Sequence, residues 1–592
     1  MKKIYILTSA LVLLSLTGCE SFLERTPKDD LVVENYFRNE TDLQLFSDDF
    51  YDRLLDKEPY DDQSDHYIHI NLSDELRGGN SRVVPSSGGG WNFTALRKIN
   101  TLLGHIDQCE DEAAVAEYTG VAKFFRAYFY FERVKRFGDV PWIETELGSA
   151  DEALYNARDS RELVMTKMIE DIDFAIANLP EAVSVYRVNK WSALMLKAQF
   201  CLYEGTWREY HQISIDGHDY YYYLSLAADA AKQIMDGGKY KLAKDYVTLF
   251  SEIDADKDEF ILAIKNDKSL SICNNTFAYA TMPTQGCPGL TKKFVDSFLM
   301  KDGSRFTDKV GWQTMQYQEE VKDRDPRLSY LTRTPGYKYI GGTETLTPDF
   351  SSSSTGFQIA KYLMDSTLPD VKRVGMSYND IPVYRYGETL LIYAEALAEM
   401  GTLTQNDLDI SVNLLRDRVG MPHMSLSEAN ANPDWYLKSN EYGYRNVKGS
   451  NTGVILEIRR ERAIELAQEG KRWDDLMRWK EGKCIEQDMY GMYFPGPGDY
   501  DLDGDGKMDL CIYEGDVKPS TTATQVLKLG VKEGMLLSEG TSGYIDPQQG
   551  ISHVFDENRD YLYPIPTKDR NLNPNLTQNP GWVDGVDNGD AE

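Results

Sequence analysis

The stretch GVAKFFRAYFYFERVKRFGDVPWI, residues 120–143, decides the class of fold. Its apolar side chains return at steps of three and four residues, which is the spacing of one face of an α-helix. Within the longer segment 115–137 these side chains are Tyr118, Val121, Ala122, Phe125, Tyr128, Phe129 and Phe137. Gly138 suits the position just after a helix, and Pro141 prevents the helix from continuing. The stretch therefore predicts a long amphipathic helix that ends in a tight turn.

The same helical periodicity recurs along much of the chain. It predicts further helices over residues 161–179, 190–203, 223–235, 386–400, 406–418, 454–468 and 471–479. Antiparallel helix pairs of this length are typical of tetratricopeptide-like scaffolds, although no fixed period of about 34 residues is present. Residues 240–380 and 485–592 are rich in glycine, proline, serine and aspartate, which predicts long irregular loops with short strands. The expected fold is mainly α.

The composition excludes one broad class of function. The 592 residues contain 64 lysines and arginines against 95 aspartates and glutamates, so the net charge is −31. General nucleic-acid binding needs a basic surface, and this surface is acidic. The 38 tyrosines and nine tryptophans combine an apolar ring with a polar atom, which suits recognition of polar ligands.

The first residues resemble an export signal. Lys2 and Lys3 precede an apolar run, residues 4–16, that is too short to span a bilayer as a permanent helix. The run ends in Leu16-Thr17-Gly18-Cys19, which resembles the bacterial lipobox. We expect residues 1–18 to be a lipoprotein signal peptide and Cys19 to carry the lipid; a plain secretory signal is the alternative. No later segment has eighteen uninterrupted apolar residues, so this lipid would be the only membrane attachment.

Three stretches together resemble the SusD/RagB family of outer-membrane nutrient-uptake lipoproteins. They are residues 120–143, quoted above; residues 383–420, which begin VYRYGETLLIYAEALAEMG, with ILEIRRERAIELAQEGKRWDDLMRWKEG at 455–482; and DYLYPIPTKDRNLNPNLTQNPGW at 560–582. The resemblance covers almost the whole mature chain. It implies a SusD-like unit built from an N-terminal helical part, 19–239, and a C-terminal RagB/SusD part, 240–592.

The resemblance also implies a function. Members of the family lie on the cell surface over a SusC-like TonB-dependent transporter, capture an oligosaccharide or, in some branches, a peptide, and close over the transporter like a hinged lid. They are not enzymes. A surface glycoside hydrolase stays open as an alternative, because paired catalytic carboxylates are close in space rather than in sequence. A helical scaffold that docks other proteins is a further alternative.

Candidate ligand-binding residues follow from the family's pattern. Trp91 comes after the glycine-rich run 86–90, which we expect to be exposed and mobile, and just before a helix. In the family a tryptophan in this place often stacks on a sugar, and polar residues of the preceding loop, here Asp74 and Arg77, bind the ligand. Trp312 and Arg373 lie in the central irregular region that also supplies binding residues. The alternative for Trp91 is a core anchor of the helix.

Residues 501–509 resemble a calcium-binding loop. Asp501, Asp503, Asp505 and Asp509 would supply side-chain oxygens and Lys507 its carbonyl, with Gly506 at the turn. The usual glutamate at the twelfth position is absent, since Ile512 stands there and Glu514 is the nearest acidic residue. We expect a structural Ca²⁺; a solvated acidic turn is the alternative.

Other motifs carry no predicted chemistry. The chain lacks H-E-x-x-H, G-x-S-x-G and G-x-x-x-x-G-K-[ST], and His66 and His69 would face opposite sides of a strand. The arginines and glutamates of 455–479 lie three or four apart, which predicts ion pairs along one helix that fix its geometry. Bridges between Cys273 and Cys287 or between Cys484 and Cys511 and buried free thiols all stay open.

Overall fold

The structure is a computed structural model that describes residues 36–55, 59–60, 64–181, 184–213, 217–531 and 534–587. Cys19 and the predicted signal peptide lie outside these residues. The helices are α1 (Glu40–Leu54), α2 (Asp74–Arg77), α3 (Thr94–His105), α4 (Glu112–Phe137), α5 (Arg161–Asn178), α6 (Lys190–His211), α7 (Tyr220–Asp236), α8 (Tyr246–Ser251), α9 (Thr276–Thr281), α10 (Lys292–Ser297), α11 (Tyr317–Glu320), α12 (Arg327–Leu331), α13 (Tyr386–Glu399), α14 (Gln405–Asp409), α15 (Val412–Val419), α16 (Leu426–Ala431), α17 (Trp435–Lys438), α18 (Thr452–Glu465), α19 (Arg472–Arg478) and α20 (Thr567–Leu572). The prediction of a mainly α fold is confirmed.

The strands are short and form small sheets. They are β1 (Tyr67–Ile68), β2 (Phe260–Ile264), β3 (Gly289–Leu290), β4 (Ile381–Arg385), β5 (Tyr493–Phe494), β6 (Gly498–Tyr500), β7 (Leu510–Tyr513), β8 (Gln525–Lys528) and β9 (Gly543–Tyr544). Antiparallel pairs join β1 to β3, β2 to β4, β5 to β9 and β6 to β7, whereas β7 and β8 are parallel. Apart from β1 and β4, they lie in the two regions predicted to be irregular.

Helix α4 begins and ends where its sequence provides caps. The side chain of Asp111 accepts hydrogen bonds from the amides of Ala113 and Ala114, at 3.0 and 3.2 Å. At the other end Gly138 adopts a φ of 73°, which a side chain would strain. α4 packs against α5, and α6 packs against α7, so the long N-terminal helices form the expected antiparallel pairs.

Helix α6 is longer than predicted. The prediction ended at residue 203, whereas the helix continues to His211. A Cβ added to Gly205 would lie 2.7 Å from the Leu224 side chain, so this glycine allows α6 and α7 to approach closely rather than ending the helix. Glu204 and Arg208, which look like surface residues, are buried and paired with each other at 2.6 Å.

The predicted helix 406–418 is two helices, α14 and α15. The chain leaves the helical conformation at Ser411, where φ is −135° and ψ is −97°. The Ser411 hydroxyl donates to the carbonyl of Asp407, a local bond that competes with the helical ladder.

The ion pairs of α18 mostly run between helices, which corrects the prediction of pairs along one helix. Glu461 binds Arg327 of α12 at 2.9 Å and Arg416 of α15 at 2.7 Å. Arg462 binds Asp475 of α19 at 2.8 Å. Only the pair from Arg460 to Glu457, among the described contacts of α18, lies along the helix itself. The charges fix how the helices pack, as expected of a scaffold.

Residues 553–582 form a C-terminal strap over the N-terminal helices. The amide of Tyr563 donates to the carbonyl of Arg136 at 2.7 Å, and the Arg136 guanidinium stacks on the Tyr563 ring at 3.7 Å. Asn579 donates to the carbonyl of Phe137 at 3.1 Å. The strap therefore holds the turn that ends α4.

A bilayer crossing needs a long, apolar helix, and none of the helices in the described ranges meets that requirement.

Candidate functional site

The loop before α3 is anchored by the strap. The amide of Thr567 donates to the carbonyl of Pro85 at 3.1 Å, and that of Lys568 donates to the carbonyl of Ser86 at 3.0 Å. Arg136 Nε donates to the carbonyl of Gly89 at 2.8 Å. Gly88, Gly89 and Gly90 have φ values of 79°, 55° and 87°. The run that we expected to be mobile is therefore tied at several points.

Trp91 is half-buried at the edge of the core. Its ring meets Phe137 edge-on at 4.9 Å and Phe93 at 5.3 Å. These contacts fit the core-anchor alternative on one side of the indole. Because the ring is only partly covered, stacking on a ligand stays a prediction.

Asp74 and Arg77 lie on the one-turn helix α2, and both are exposed. The strap contacts this helix, since His553 Nδ1 lies 2.8 Å from the carbonyl of Leu76 and the Tyr563 hydroxyl donates to Glu75 at 3.0 Å. Their role in ligand binding stays a prediction.

Trp312 forms the buried base of an aromatic cluster. Its ring is 6% exposed and lies 5.6 Å from Tyr436, 5.8 Å from Tyr442 and 6.2 Å from Trp435. Tyr442 stacks on Tyr436 at 4.7 Å with the ring planes 8° apart. The exposed indole of the cluster belongs to Trp435, which is 43% exposed. Trp312 thus supports the rings that a ligand can reach.

A second group of aromatic rings comes from the C-terminal part. Tyr490 stacks on Tyr544 at 5.3 Å, and Tyr493 meets Tyr544 at 5.7 Å. The pairing of β5 with β9 places Tyr493 directly opposite Tyr544. All three rings are half-exposed.

The two groups adjoin each other. β5 contacts the turn that carries Trp312, and the phenols of Tyr442 and Tyr544 lie close enough for the ionisation of one to affect the other. We call the set Trp312, Trp435, Tyr436, Tyr442, Tyr490, Tyr493 and Tyr544 the aromatic face. Burial, followed by Glu441, raises the pKa of Tyr442, and burial, followed by Asp488, raises the pKa of Tyr490, so both hydroxyls stay protonated at neutral pH.

A buried charge cluster lies beneath this face. The Lys292 ammonium is 5.8 Å from the centre of the Tyr544 ring and pairs with Asp296 at 3.1 Å and with Glu320. Burial raises the pKa of Asp296 to about 7, and Lys292 opposes that rise. The paired lysine supports the tyrosines from below.

Arg373 is not among the contacts of the aromatic face. Its side chain is 71% exposed and lies 3.4 Å from Asp370. The structure therefore leaves the prediction that Arg373 binds ligand without support from a neighbouring aromatic ring.

Sequence reasoning missed Trp435, Tyr442, Tyr490, Tyr493 and Tyr544. They are spread over more than a hundred positions, and tertiary packing alone brings them together. The available signal was the frequency of tyrosine and tryptophan, which does not tell which rings pack together.

A cavity of about 930 Å³ lies between the long helices and the C-terminal part. The charged groups that line the cavity are paired. Lys135 lies 2.6 Å from Asp474 and 2.8 Å from Glu132, and Lys471 lies 3.4 Å from Glu388. Asp474 and Glu132 raise the pKa of Lys135 against the effect of burial. The pair of Lys135 with Asp474 joins the two parts of the chain.

The predicted calcium loop brings three of its four aspartates together. Oxygens of Asp501, Asp503 and Asp509 lie within 4.8 Å of one another. Asp505 instead binds the Lys507 ammonium at 2.6 Å. Burial and then the neighbouring aspartates raise the pKa of Asp509, as expected where like charges meet. A calcium ion at this loop stays a prediction.

His66 and His69 have separate partners, as predicted. His66 stacks on Phe294 at 4.2 Å, and His69 Nε2 lies 2.9 Å from the Tyr279 hydroxyl. The six cysteines of the described residues are free thiols, which favours that alternative over the two bridges.

Comparisons with known proteins identify two matching family models. The model described as "SusD family" matches residues 259–582, and the one described as "Starch-binding associating with outer membrane" matches residues 91–202. A SusD-like protein P38 of Formosa agariphila is 25% identical over 510 residues, which cover 80% of this chain and 91% of that protein. A SusD-like protein of Bacteroides ovatus is 22% identical over 612 residues, covering 98% and 97%.

Solved structures share the fold. A SusD-like carbohydrate binding protein from Bacteroides fragilis superposes with a TM-score of 0.68 at 22% identity, covering 91% of this chain and 99% of that one. A second SusD-like protein from Bacteroides fragilis gives 0.67 at 19% identity, covering 94% and 100%.

Proposed function

The chain belongs to the SusD family, and from that premise we propose that it is a cell-surface lipoprotein that captures oligosaccharides on its aromatic face and delivers them to a partner TonB-dependent transporter. In this proposal it binds its ligand without chemical turnover. The family model covers residues 259–582, more than half of the 592.

The observation that carries the proposal is the convergence of exposed rings on one face. Trp435 and Tyr442 come from one stretch of the chain, Tyr490 and Tyr544 from two others, and all four keep part of their ring surface open to solvent. A sugar ring offers C–H groups on its faces and hydroxyls around its edge, so flat aromatic rings with polar neighbours suit it. The description of one relative's structure as carbohydrate binding supports the same ligand class.

The face is also preorganised. The Trp435 indole N–H donates to Asp308 at 2.8 Å, and the Tyr436 hydroxyl donates to the carbonyl of Lys293 at 3.0 Å. Rings that are already fixed lose little rotational freedom when a ligand stacks on them.

Attachment to the outer membrane through lipid on Cys19 completes the proposal. The description of the second family model, which names association with the outer membrane, supports this location. Cys19→Ala should release the protein from membranes or leave its signal uncleaved. If the variant fractionates with outer membranes like wild type in cells without the transporter, lipid on Cys19 is not the attachment.

Calorimetric titration of the chain without residues 1–19 against neutral and acidic hexasaccharides and against oligopeptides tests the ligand class. We expect a hexasaccharide to bind, and Trp435→Ala to weaken that binding about tenfold or more, the equivalent of ~1.4 kcal/mol. Tyr221→Ala is the matched control, because Tyr221 is 45% exposed on helix α7, outside the aromatic face, and its loss should leave affinity unchanged.

The alternatives give different results in the same assay. Binding of peptides alone would favour the peptide-binding branch of the family. Release of shorter sugars would favour a glycoside hydrolase. Co-purification with a barrel protein encoded beside this gene tests delivery. If no barrel protein co-purifies with the chain from detergent extracts of native cells, the transporter partnership is contradicted.

A further inference from the structure

Each of three partly exposed rings of the aromatic face has its polar atom opposite a carboxylate. Trp435 Nε1 donates to Asp308 Oδ1 at 2.8 Å. Glu441 interacts with the hydroxyl of Tyr442, and Asp488 interacts with that of Tyr490. The polar edge of the face is therefore built from acceptors rather than from cationic donors.

The acidic groups concentrate around Tyr490 and Tyr544. The carboxylate of Asp546 interacts with that of Asp488 and with the hydroxyl of Tyr490. Asp488 comes two residues before Tyr490 and Asp546 two residues after Tyr544, and the amide of Gly491 donates to the carbonyl of Ile545 at 2.8 Å, so the two segments lie side by side. Burial and Asp488 both raise the pKa of Asp546. A carboxylate or sulfate of a ligand stacked on these rings would meet like charge.

Among the described residues, the basic groups that interact with this edge have partners of their own. The ammonium nearest to the Tyr544 ring belongs to Lys292, which is buried and already paired with Asp296 and Glu320. His553 interacts with Asp546, and its Nδ1 lies 2.8 Å from the carbonyl of Leu76. An anionic sugar beside Tyr490 would therefore meet two carboxylates, whereas the nearest lysine is already paired.

We propose that the aromatic face selects neutral oligosaccharides and rejects uronate and sulfated glycans, with Asp488 and Asp546 as the residues that determine this selectivity. The inference rests on the proposed function, because it assigns a ligand class to the same site. Stacking supplies attraction to any sugar ring, carboxylates accept the hydroxyls of neutral sugars, and the same carboxylates repel anionic substituents.

The net charge of −31 provides a competing explanation, since an acidic chain repels any polyanion from a distance. The two explanations differ in their response to salt. Long-range repulsion between exposed charges is screened over about 8 Å at physiological ionic strength, whereas repulsion at contact persists much more.

Two matched pairs of hexamers test the proposal: β-1,4-mannose against β-1,4-mannuronate, and cellohexaose against its C6-oxidised form. Maltohexaose and laminarihexaose are further neutral ligands, and an α-1,4-galacturonate hexamer and a chondroitin sulfate hexasaccharide are further acidic ones. Calorimetry on the chain without residues 1–19 measures each affinity at low and high salt. We expect at least one neutral hexamer to bind, and every acidic hexamer to bind at least tenfold more weakly at both salt concentrations.

The variant Asp488→Asn/Asp546→Asn keeps the size and hydrogen-bonding ability of both side chains and removes their charge. We expect it to reduce the neutral-to-acidic ratio about tenfold while largely keeping affinity for the neutral hexamer. Asp229→Asn/Asp236→Asn is the control, because both residues are exposed on helix α7 and the double replacement changes the net charge by the same two units. An acidic hexamer that binds wild type most tightly, or a double variant with an unchanged ratio, overturns the inference and leaves capture of oligosaccharides intact. Absence of binding to every hexamer overturns the proposed function itself.

Discussion

Trp91 illustrates how one residue can serve both the core and a binding surface. Its indole contacts Phe93 and Phe137 edge-on, yet part of the ring stays open beside a loop that the strap holds in place. An edge-to-face pair contributes ~0.5–1.5 kcal/mol beyond the area it buries. Packing and ligand stacking can therefore both depend on this ring.

Trp91→Ala should lower the free energy of unfolding by about 2 kcal/mol, less than the ~3–5 kcal/mol of a fully buried ring, because only one side of the indole is covered. Trp91→Phe should keep most of that stability. Calorimetric titration of Trp91→Phe with a hexasaccharide that binds wild type then separates the roles. An affinity loss of about tenfold supports the predicted platform, whereas unchanged affinity makes Trp91 a core anchor.

At the scale of elements, two helical glycines have opposite surroundings. A Cβ on Gly205 of α6 would lie 2.7 Å from Leu224, whereas a Cβ on Gly104 of α3 would have no atom within 4 Å. We expect Gly205→Ala to lower the free energy of unfolding by ~1–3 kcal/mol through overpacking. Gly104→Ala should raise it by up to about 1 kcal/mol through helix propensity. Urea denaturation measures both, and equal effects would contradict the close approach of α6 and α7.

The loop 501–509 provides a second test at this scale. Three carboxylates already lie within 4.8 Å, so a cation there would relieve their repulsion and stabilise the folded state. We expect millimolar calcium to raise Tm relative to chelator, and Asp503→Asn to abolish most of the rise. At a concentration a hundred times Kd the stabilisation is ~2.7 kcal/mol.

Asp505→Asn is the matched control for the loop. The Asp505 carboxylate binds Lys507 in the structure, so this variant should keep most of the calcium response. Equal Tm values in calcium and in chelator for wild type would leave the aspartates as a solvated acidic turn.

At the scale of the whole molecule, buried ion pairs join the helices. Glu465 of α18 binds Arg385 of β4 at 2.8 Å and also Arg418 of α15. Burial alone would raise the pKa of Glu465, but Arg418, Arg385 and Arg327 together lower it to about 2. Arg472 of α19 reaches Asp65 at 2.8 Å, so such pairs also connect the two parts of the chain.

The lowered pKa gives a pH dependence with a definite sign. The pKa in the folded state lies below the ordinary 4.5, so Glu465 stabilises the fold above pH 4.5 and loses this contribution as pH falls towards 2. Glu465→Gln should lower the free energy of unfolding by ~1–3 kcal/mol at pH 6, because Arg385, Arg418 and Arg327 each lose one buried carboxylate and keep another. Denaturant unfolding from pH 2 to 6 should show this difference shrinking with acidification. Glu319→Gln, at an exposed position of α11, should follow wild type, and parallel curves for Glu465→Gln and wild type would contradict the linkage.

The sequence by itself determined the fold class, the positions of most long helices and the family, because these depend on local signals. Apolar periodicity, caps such as Asp111 and stops such as Gly138 act within a few residues. It was insufficient where a distant residue decides the local structure. The predicted helix 190–203 continues to His211, with Gly205 packed against Leu224, and most ion pairs of α18 are made with other segments. Only the tertiary structure decided which aromatic rings share a face, since Trp435, Tyr442, Tyr490 and Tyr544 adjoin through packing that no local spacing encodes.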